Sequence, residues 1–155
     1  MTTAETTMAS QEQGMKIHVS RVPAEGLQEH ATYEPAELDM AREDVRITAP
    51  FEADAAVALA DRELVVQAEI RATLQQICAR CLEEFTTPLT LRQVFSYAVR
   101  PGDVVDITDD VRQEIMLAYP LIPVCAPGCR GLCGACGQNL NRASCAHAEA
   151  QTRDH

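Results

Sequence analysis

Leu64-Val65-Val66-Gln67-Ala68-Glu69-Ile70-Arg71-Ala72-Thr73-Leu74-Gln75 is the stretch that decides the fold. Leu64, Val66, Ala68, Ile70, Ala72 and Leu74 point one way, and Val65, Gln67, Glu69, Arg71, Thr73 and Gln75 point the other. Successive side chains of an extended backbone leave opposite faces, so a period of two predicts a half-buried strand. Residues 89–99 repeat the pattern, with Leu89, Leu91, Phe95, Tyr97 and Val99 on one side and Thr90, Arg92, Ser96 and Ala98 on the other. Weaker strand signals lie over Met15–Val22, Val45–Phe51 and Ala55–Ala60. Glu34-Pro35 and Arg100-Pro101-Gly102 mark breaks or turns.

One helix is predicted to begin near Thr108-Asp109-Asp110, where small hydroxyl and acidic residues can cap it, with Gln113 three positions after Asp110. Val111, Ile115 and Ala118 share a face with Leu117 close by, while Arg112 and Glu114 look outward. Pro120 ends it. These elements predict an α+β fold: an antiparallel β-sheet with one packed helix and a cysteine-rich, zinc-binding C-terminal tail. The expected organisation is a disordered leader over 1–14, a β-rich main domain over 15–124 and a zinc-binding tail over 125–155.

The 155 residues are 46% hydrophobic, with no Trp, three Tyr and three Phe, so the core must be mostly aliphatic. The formal charge of −10 rests on 23 acidic against 13 basic residues, among which Lys16 is the one lysine. Gripping a phosphate backbone needs clustered Lys and Arg, which disfavours a purely electrostatic nucleic-acid binder. An acidic surface keeps a protein in solution and steers a basic partner toward it. The start of the chain has no apolar stretch of signal-peptide length, and no run reaches the roughly 20 residues that span a bilayer. A cytoplasmic protein is expected, with no membrane partner and no small-molecule substrate.

Seven cysteines are an odd number for a disulfide framework, and cytoplasmic thiols stay reduced. They fall into Cys78-x2-Cys81, Cys125-x3-Cys129, Cys133-x2-Cys136 and Cys145, which lies two residues before His147. Two sulfurs on one tight turn can occupy two corners of a tetrahedron about 2.3 Å from zinc. Gly137 suits the bend of such a knuckle, and Gly131 and Gly134 add permissive backbone beside Cys133. With His147 the ligands number eight, enough for two four-coordinate structural Zn2+ sites, and one or two ions are expected. The preferred grouping joins Cys78, Cys81, Cys125 and Cys129, and separately Cys133, Cys136, Cys145 and His147, because the second set then needs only short loop closures. The competing grouping pairs Cys78 and Cys81 with Cys133 and Cys136.

Other chemistries fit less well. A redox Cys-x-x-Cys sits at a helix N-terminus, whereas Cys78 ends a strand-like run. His147-Ala148-Glu149 has the look of the His-x-Glu of zinc deaminases, but it follows its cysteine pair instead of preceding it. His18 and His30 have no catalytic partner at a recognisable spacing, and no phosphate-cradling glycine loop is present. No catalytic or cofactor-binding residue is therefore assigned, and the chain is not expected to be an enzyme. Reduced, unliganded thiols at Cys125 or Cys129 and a non-ligating His147 remain open.

Cys78-Ala79-Arg80-Cys81-Leu82 is followed by Glu84-Phe85 and Pro88. Asp110 through Pro120 and Pro123 come next, then Cys125 and Cys129. Gly131-Leu132-Cys133-Gly134-Ala135-Cys136-Gly137-Gln138-Asn139-Leu140-Asn141 and Cys145 complete the series. In this order the motifs resemble the YceD family of bacterial and plastid proteins over roughly residues 45–147. The resemblance implies a role in accumulation of large-subunit ribosomal RNA, hence in ribosome assembly. The family's bacterial gene commonly lies beside that of a small zinc-ribbon protein of the large subunit, and some relatives keep the first cysteine pair but lack the tail cysteines. Members usually close the tail with Cys-x-Cys where this chain has Cys145-Ala146-His147, and their basic, apolar extension is replaced by Gln151–His155. Combined with the acidity, the resemblance implies a basic ribosomal protein or assembly factor as partner, with pre-ribosomal RNA reached indirectly. Two rival functions follow from the same cysteines: a zinc-dependent enzyme acting on RNA or nucleotides, and a redox-switched zinc holdase.

Overall fold

The computed structural model describes residues 14–147. The expected leader, Gly14 apart, and the end of the tail, with Glu149 and Gln151–His155, lie outside the described residues. The backbone forms β1 (Lys16–His18), β2 (Leu27–Tyr33), β3 (Val45–Arg46), β4 (Phe51–Ala60), β5 (Glu63–Ile77), β6 (Glu84–Ala98), β7 (Val104–Asp106) and α1 (Thr108–Leu117). Strands β2, β4, β5 and β6 lie side by side, all antiparallel, and β3 pairs with the far end of β5 beyond the end of β4. Strands β1 and β7 make a separate antiparallel pair. The fold is thus mostly antiparallel sheet with one helix among the described residues, as the sequence predicts.

The alternation read in β5 sets the inner face: Leu64, Val66, Ala68, Ile70 and Leu74 are buried, and Ala72 is packed against them. Ala53, Ala55 and Val57 of β4 continue this face, and Met15, Ile17, Ile107, Val111 and Ile115 close over it from β1, α1 and the residues just before each. The opposite face is solvated and carries ion pairs, Arg71 with Asp54 and Arg92 with Glu69 among them. In β6 the inner-facing residues are only half buried, in keeping with its place at the sheet's edge. Pro88, which has no N–H to donate, fits such a strand.

Several local readings change. The candidate strand Met15–Val22 is extended only over Lys16–His18 and then turns through a 3-10 segment at Val19–Arg21. Val45–Phe51 is broken after Arg46, and the strand sensed at Ala55–Ala60 starts earlier, at Phe51. Strand β2 went unread because its polar and charged residues, Gln28, Glu29 and His30, hide the signal of Ala31 and Tyr33, which are buried. Leu117 is 79% exposed and takes no part in the helix's buried face, which Val111 and Ile115 make. Arg112, expected to look outward, instead donates to the carbonyls of Leu38 (2.5 Å) and Asp39 (3.1 Å).

Helix α1 begins against Asp106, whose Oδ1 accepts from the Thr108 amide (3.0 Å) and hydroxyl (2.5 Å). The cap thus comes from just upstream of the expected Thr108–Asp110 cluster, satisfying an otherwise orphaned amide. Asp106→Ala is expected to cost about 0.5–2 kcal/mol, read as a lower urea midpoint at unchanged slope; an unaltered midpoint would remove Asp106 from this role. At the helix's other end, the Tyr119 hydroxyl donates to the Met40 carbonyl (3.0 Å) and Arg42 donates to the Pro120 carbonyl (2.6 Å). These bonds aim the chain that leaves α1 toward the β5–β6 turn.

Candidate metal centres

Strand β5 ends at Ile77 and β6 starts at Glu84, and these two residues are paired. The six residues between them form a knuckle. Its Leu82 amide donates to the Cys78 carbonyl (2.9 Å), and the Cys78 amide donates to the Glu83 carbonyl (2.9 Å). Closing so tight a turn requires a left-handed residue, here Leu82 at φ 61°. The segment after α1 docks where the Ala79 amide donates to the Pro123 carbonyl (2.8 Å), which brings Cys125 and Cys129 onto the knuckle.

Cys78, Cys81, Cys125 and Cys129 thereby converge, with all four sulfurs within 4.8 Å of one another. Cys78–Cys129 and Cys81–Cys125 are each 3.8 Å apart between Sγ atoms. A tetrahedron with arms of about 2.3 Å, the zinc–thiolate length, has edges of about 3.8 Å. A disulfide needs about 2.05 Å, and all seven cysteines carry free thiols. The donor set and its spacing fit a tetrahedral metal ion. Three of the four residues are buried; Cys125 is exposed as a residue but turns its thiol inward.

The electrostatics agree. Burial alone would raise the Cys78 thiol, but the backbone amides of Cys81, Cys125 and Arg80 bring it down to about 6. The amides of Arg80 and Cys125 each lie 3.4 Å from its sulfur. Cys125 is pushed the other way, to about 12, by desolvation and by the neighbouring thiols of Cys129, Cys78 and Cys81. Four sulfurs this close cannot all ionise without a compensating cation, which a bound dication would supply.

The second group gathers Cys133, Cys136, Cys145 and His147, again with ligand atoms within 4.8 Å of one another. It is built on a small hairpin. Leu132 bridges Asn139, the Cys133 amide donates to the Gln138 carbonyl (2.8 Å), and the Gly137 amide donates to the Cys133 carbonyl (2.8 Å). Gly137 sits at φ 75°, so the bend expected of it is present, although its N–H meets a carbonyl and not a sulfur. The amides of Cys136 and Ala135, with the Cys145 thiol after them, bring the Cys133 thiol down to about 7. This cluster is open: Cys136 and His147 are exposed and Cys145 is half buried. Of the two groupings considered from the sequence, the structure brings together Cys78 and Cys81 with Cys125 and Cys129, not with Cys133 and Cys136.

Residues that the cysteine pattern does not announce join the centres. Arg80 donates from Nη1 to the Cys129 carbonyl (3.2 Å), and Asn141 donates from Nδ2 to the Cys129 sulfur (3.3 Å). The Asn141 bond comes first among the causes that hold the Cys129 thiol below its usual range. At Gly131 (φ 74°) an added Cβ would stand 3.2 Å from the Arg80 carbonyl, so this crossing of tail and knuckle needs a glycine twice over. The one available signal was the motif Asn139-Leu140-Asn141, which spacing rules cannot convert into a sulfur contact.

Fold and site together define an antiparallel α+β protein with two thiolate-rich clusters able to hold metal ions. The family model described as "Large ribosomal RNA subunit accumulation protein YceD" matches residues 93–155. Over 108 residues the chain is 31% identical to an uncharacterized protein of Mycobacterium leprae, covering 59% of this chain and 50% of that protein. It is 37% identical over 79 residues to an uncharacterized protein of Mycobacterium tuberculosis, covering 41% and 38% of the two chains. A third relative is the chloroplastic large ribosomal RNA subunit accumulation protein YCED homolog 1 of Zea mays, 48% identical over 40 residues, 26% of this chain and 14% of that protein. The chain thus spans half or less of the length of these relatives. No solved structure matches. Within the class just defined, these matches support assignment of the chain to the YceD family, as its C-terminal motif implies. No helix among the described residues is long and apolar enough to cross a membrane.

Proposed function

We propose that this chain is a non-enzymatic factor in the accumulation of large-subunit ribosomal RNA, that both clusters hold structural zinc, and that it acts through a basic protein partner. The observation that carries the reading is the completeness of each donor set. Four side-chain ligand atoms converge at each cluster, from four cysteines in one and from three cysteines and a histidine in the other. Structural zinc sites have four protein ligands, whereas catalytic ones leave a position for water or substrate. Thiolate and imidazole donors suit zinc better than the hard cations that prefer oxygen. The description of the matching family and the name of the maize relative support the link to ribosomal RNA. The charge of −10 favours a basic protein over bare RNA as the direct partner. Leu121 and Ile122, 92% and 70% exposed on the loop that leads into Cys125, offer such a partner apolar contact area.

Chain purified without added metal is expected to carry two zinc ions, measured by elemental analysis. Cells depleted of it should lose large-subunit relative to small-subunit ribosomal RNA, with rescue by the wild-type chain. Immobilised chain should retain basic ribosomal proteins. Tight, salt-sensitive retention of purified ribosomal RNA fragments alone would contradict the partner assignment.

A further inference from the structure

Asn141 stands between the two clusters, and its amide is committed at both ends. The Arg130 backbone amide can only donate, so the Asn141 atom 2.8 Å from it is the acceptor Oδ1. That leaves the NH2 group to donate to the Cys129 sulfur at 3.3 Å and to Asn139 Oδ1 at 3.0 Å. The side chain's orientation is therefore set by hydrogen bonding, not chosen freely. Its backbone is equally fixed, since the Asn141 amide donates to Asn139 Oδ1 (3.0 Å) and the preceding Leu140 amide donates to the Gly131 carbonyl (2.9 Å).

These fixings belong to the exposed cluster. Asn139 is bridged to Leu132 at the base of the hairpin that carries Cys133 and Cys136. Cys145 and His147 follow Asn141 by four and six residues. Closing the exposed cluster therefore pins the chain on both sides of Asn141. Donors to a ligating sulfur orient it and stabilise its charge, and their loss typically weakens metal affinity about 10–100-fold. We propose that Asn141 is the positioning residue through which metal at the Cys133–Cys136–Cys145–His147 cluster strengthens metal binding at the buried four-cysteine cluster. Linkage makes the effect mutual: an ion in the buried cluster must strengthen the exposed one by the same factor. This inference rests on the reading that both clusters bind metal.

The test is titration of metal-free full chain with cobalt(II), competed by a chromophoric chelator, because sulfur-only and mixed sulfur–nitrogen cobalt sites absorb differently. Asn141→Ala and Asn141→Asp are expected to weaken the buried cluster about 10–100-fold and to shift its thiolate-to-cobalt absorption. Asp keeps an acceptor for the Arg130 amide while removing the NH2 donor to both the Cys129 sulfur and Asn139 Oδ1. Asn139→Ala removes the loop bonds and leaves the sulfur donor, so it should leave the absorption band in place and separates the two roles. Cys136→Ser should produce a similar weakening at the buried cluster, and the Cys136→Ser/Asn141→Ala double variant should lose little more than either alone. Additive losses, or wild-type affinity and an unmoved absorption band in both Asn141 variants, would overturn the coupling. Failure of the wild-type chain to bind cobalt at all would overturn the metal reading itself and this inference with it.

Discussion

Cys78→Ser is expected to abolish metal binding at the buried cluster and to lower the stability of the whole described fold by at least about 4 kcal/mol, a loss of the size seen when a structural metal is removed. Cys78 is fully buried, its sulfur accepts from two backbone amides, and it closes the hairpin of the two longest strands. A serine hydroxyl would keep some of those hydrogen bonds but does not ionise at neutral pH, so it supplies no thiolate. The sheet's end would be left with three cysteines and no ion to join Cys125 and Cys129 to the β5–β6 turn. Cys136→Ser should behave differently. Cys136 is exposed on the tail hairpin, so its loss should loosen the tail and weaken the buried cluster while the sheet still melts cooperatively, less stable by at most the roughly 1.4–2.7 kcal/mol that a 10–100-fold weaker site costs. Thermal melts followed by far-ultraviolet circular dichroism, with zinc counted per chain, compare the two. Equal global destabilisation would contradict the separate placement of the clusters.

That contrast follows from what fills the last part of the described chain. Between Val124 and His147 the residues are mostly Cys, Gly, Asn and Ala, and Cys129 and Cys133 are the buried apolar ones. Among the described residues, the apolar side chains packed on the small cluster of Cys78, Cys81 and Cys129 are Phe85 and Val124. So little apolar area cannot offset the entropy of ordering more than twenty residues. Thiolate–metal bonds at the two cysteine clusters would supply a cross-link in its place.

The sheet was readable where alternation was strict, as in β5, whose inward series from Leu64 to Leu74 emerges intact. Where a strand faces solvent on one side and a thin layer on the other, the code weakens. Strand β2 hides behind Gln28, Glu29 and His30, and β7 is only three residues long. The ligands were readable because two-residue spacing is a local geometric constraint. Asn141 was not, because its contact with Cys129 spans 12 positions and depends on how the tail folds back. Leu117 misled for the opposite reason: helical period placed it near the apolar face, but no element covers that position.

Phe51→Ala provides the complementary test, because it strikes the core without touching a ligand. Phe51 is 2% exposed, and its ring stacks on Tyr33 of the paired strand with centroids 5.2 Å apart and an interplanar angle of 14°. Tyr33 is in turn held by its hydroxyl, which accepts from the Met15 amide (3.2 Å), so the ring pair joins β4 and β2 to the segment leading into β1. Truncation removes the transfer energy of the ring, leaves a cavity and forfeits the stacking, for a cost of about 3–5 kcal/mol. Against a total stability of roughly 5–15 kcal/mol for a natural domain, that is a large share. Phe51→Leu, which nearly fills the space, should cost about 1.5 kcal/mol or less. Urea unfolding should show both as lower midpoints with unchanged slopes, while zinc per chain stays at the wild-type value, since Phe51 belongs to the main core and not to the cysteine cluster. A loss below about 1 kcal/mol for Phe51→Ala would mean that the stacked ring pair does not carry the sheet's core, and zinc lost from chain that is still folded would mean that the cysteine ligands depend on its packing.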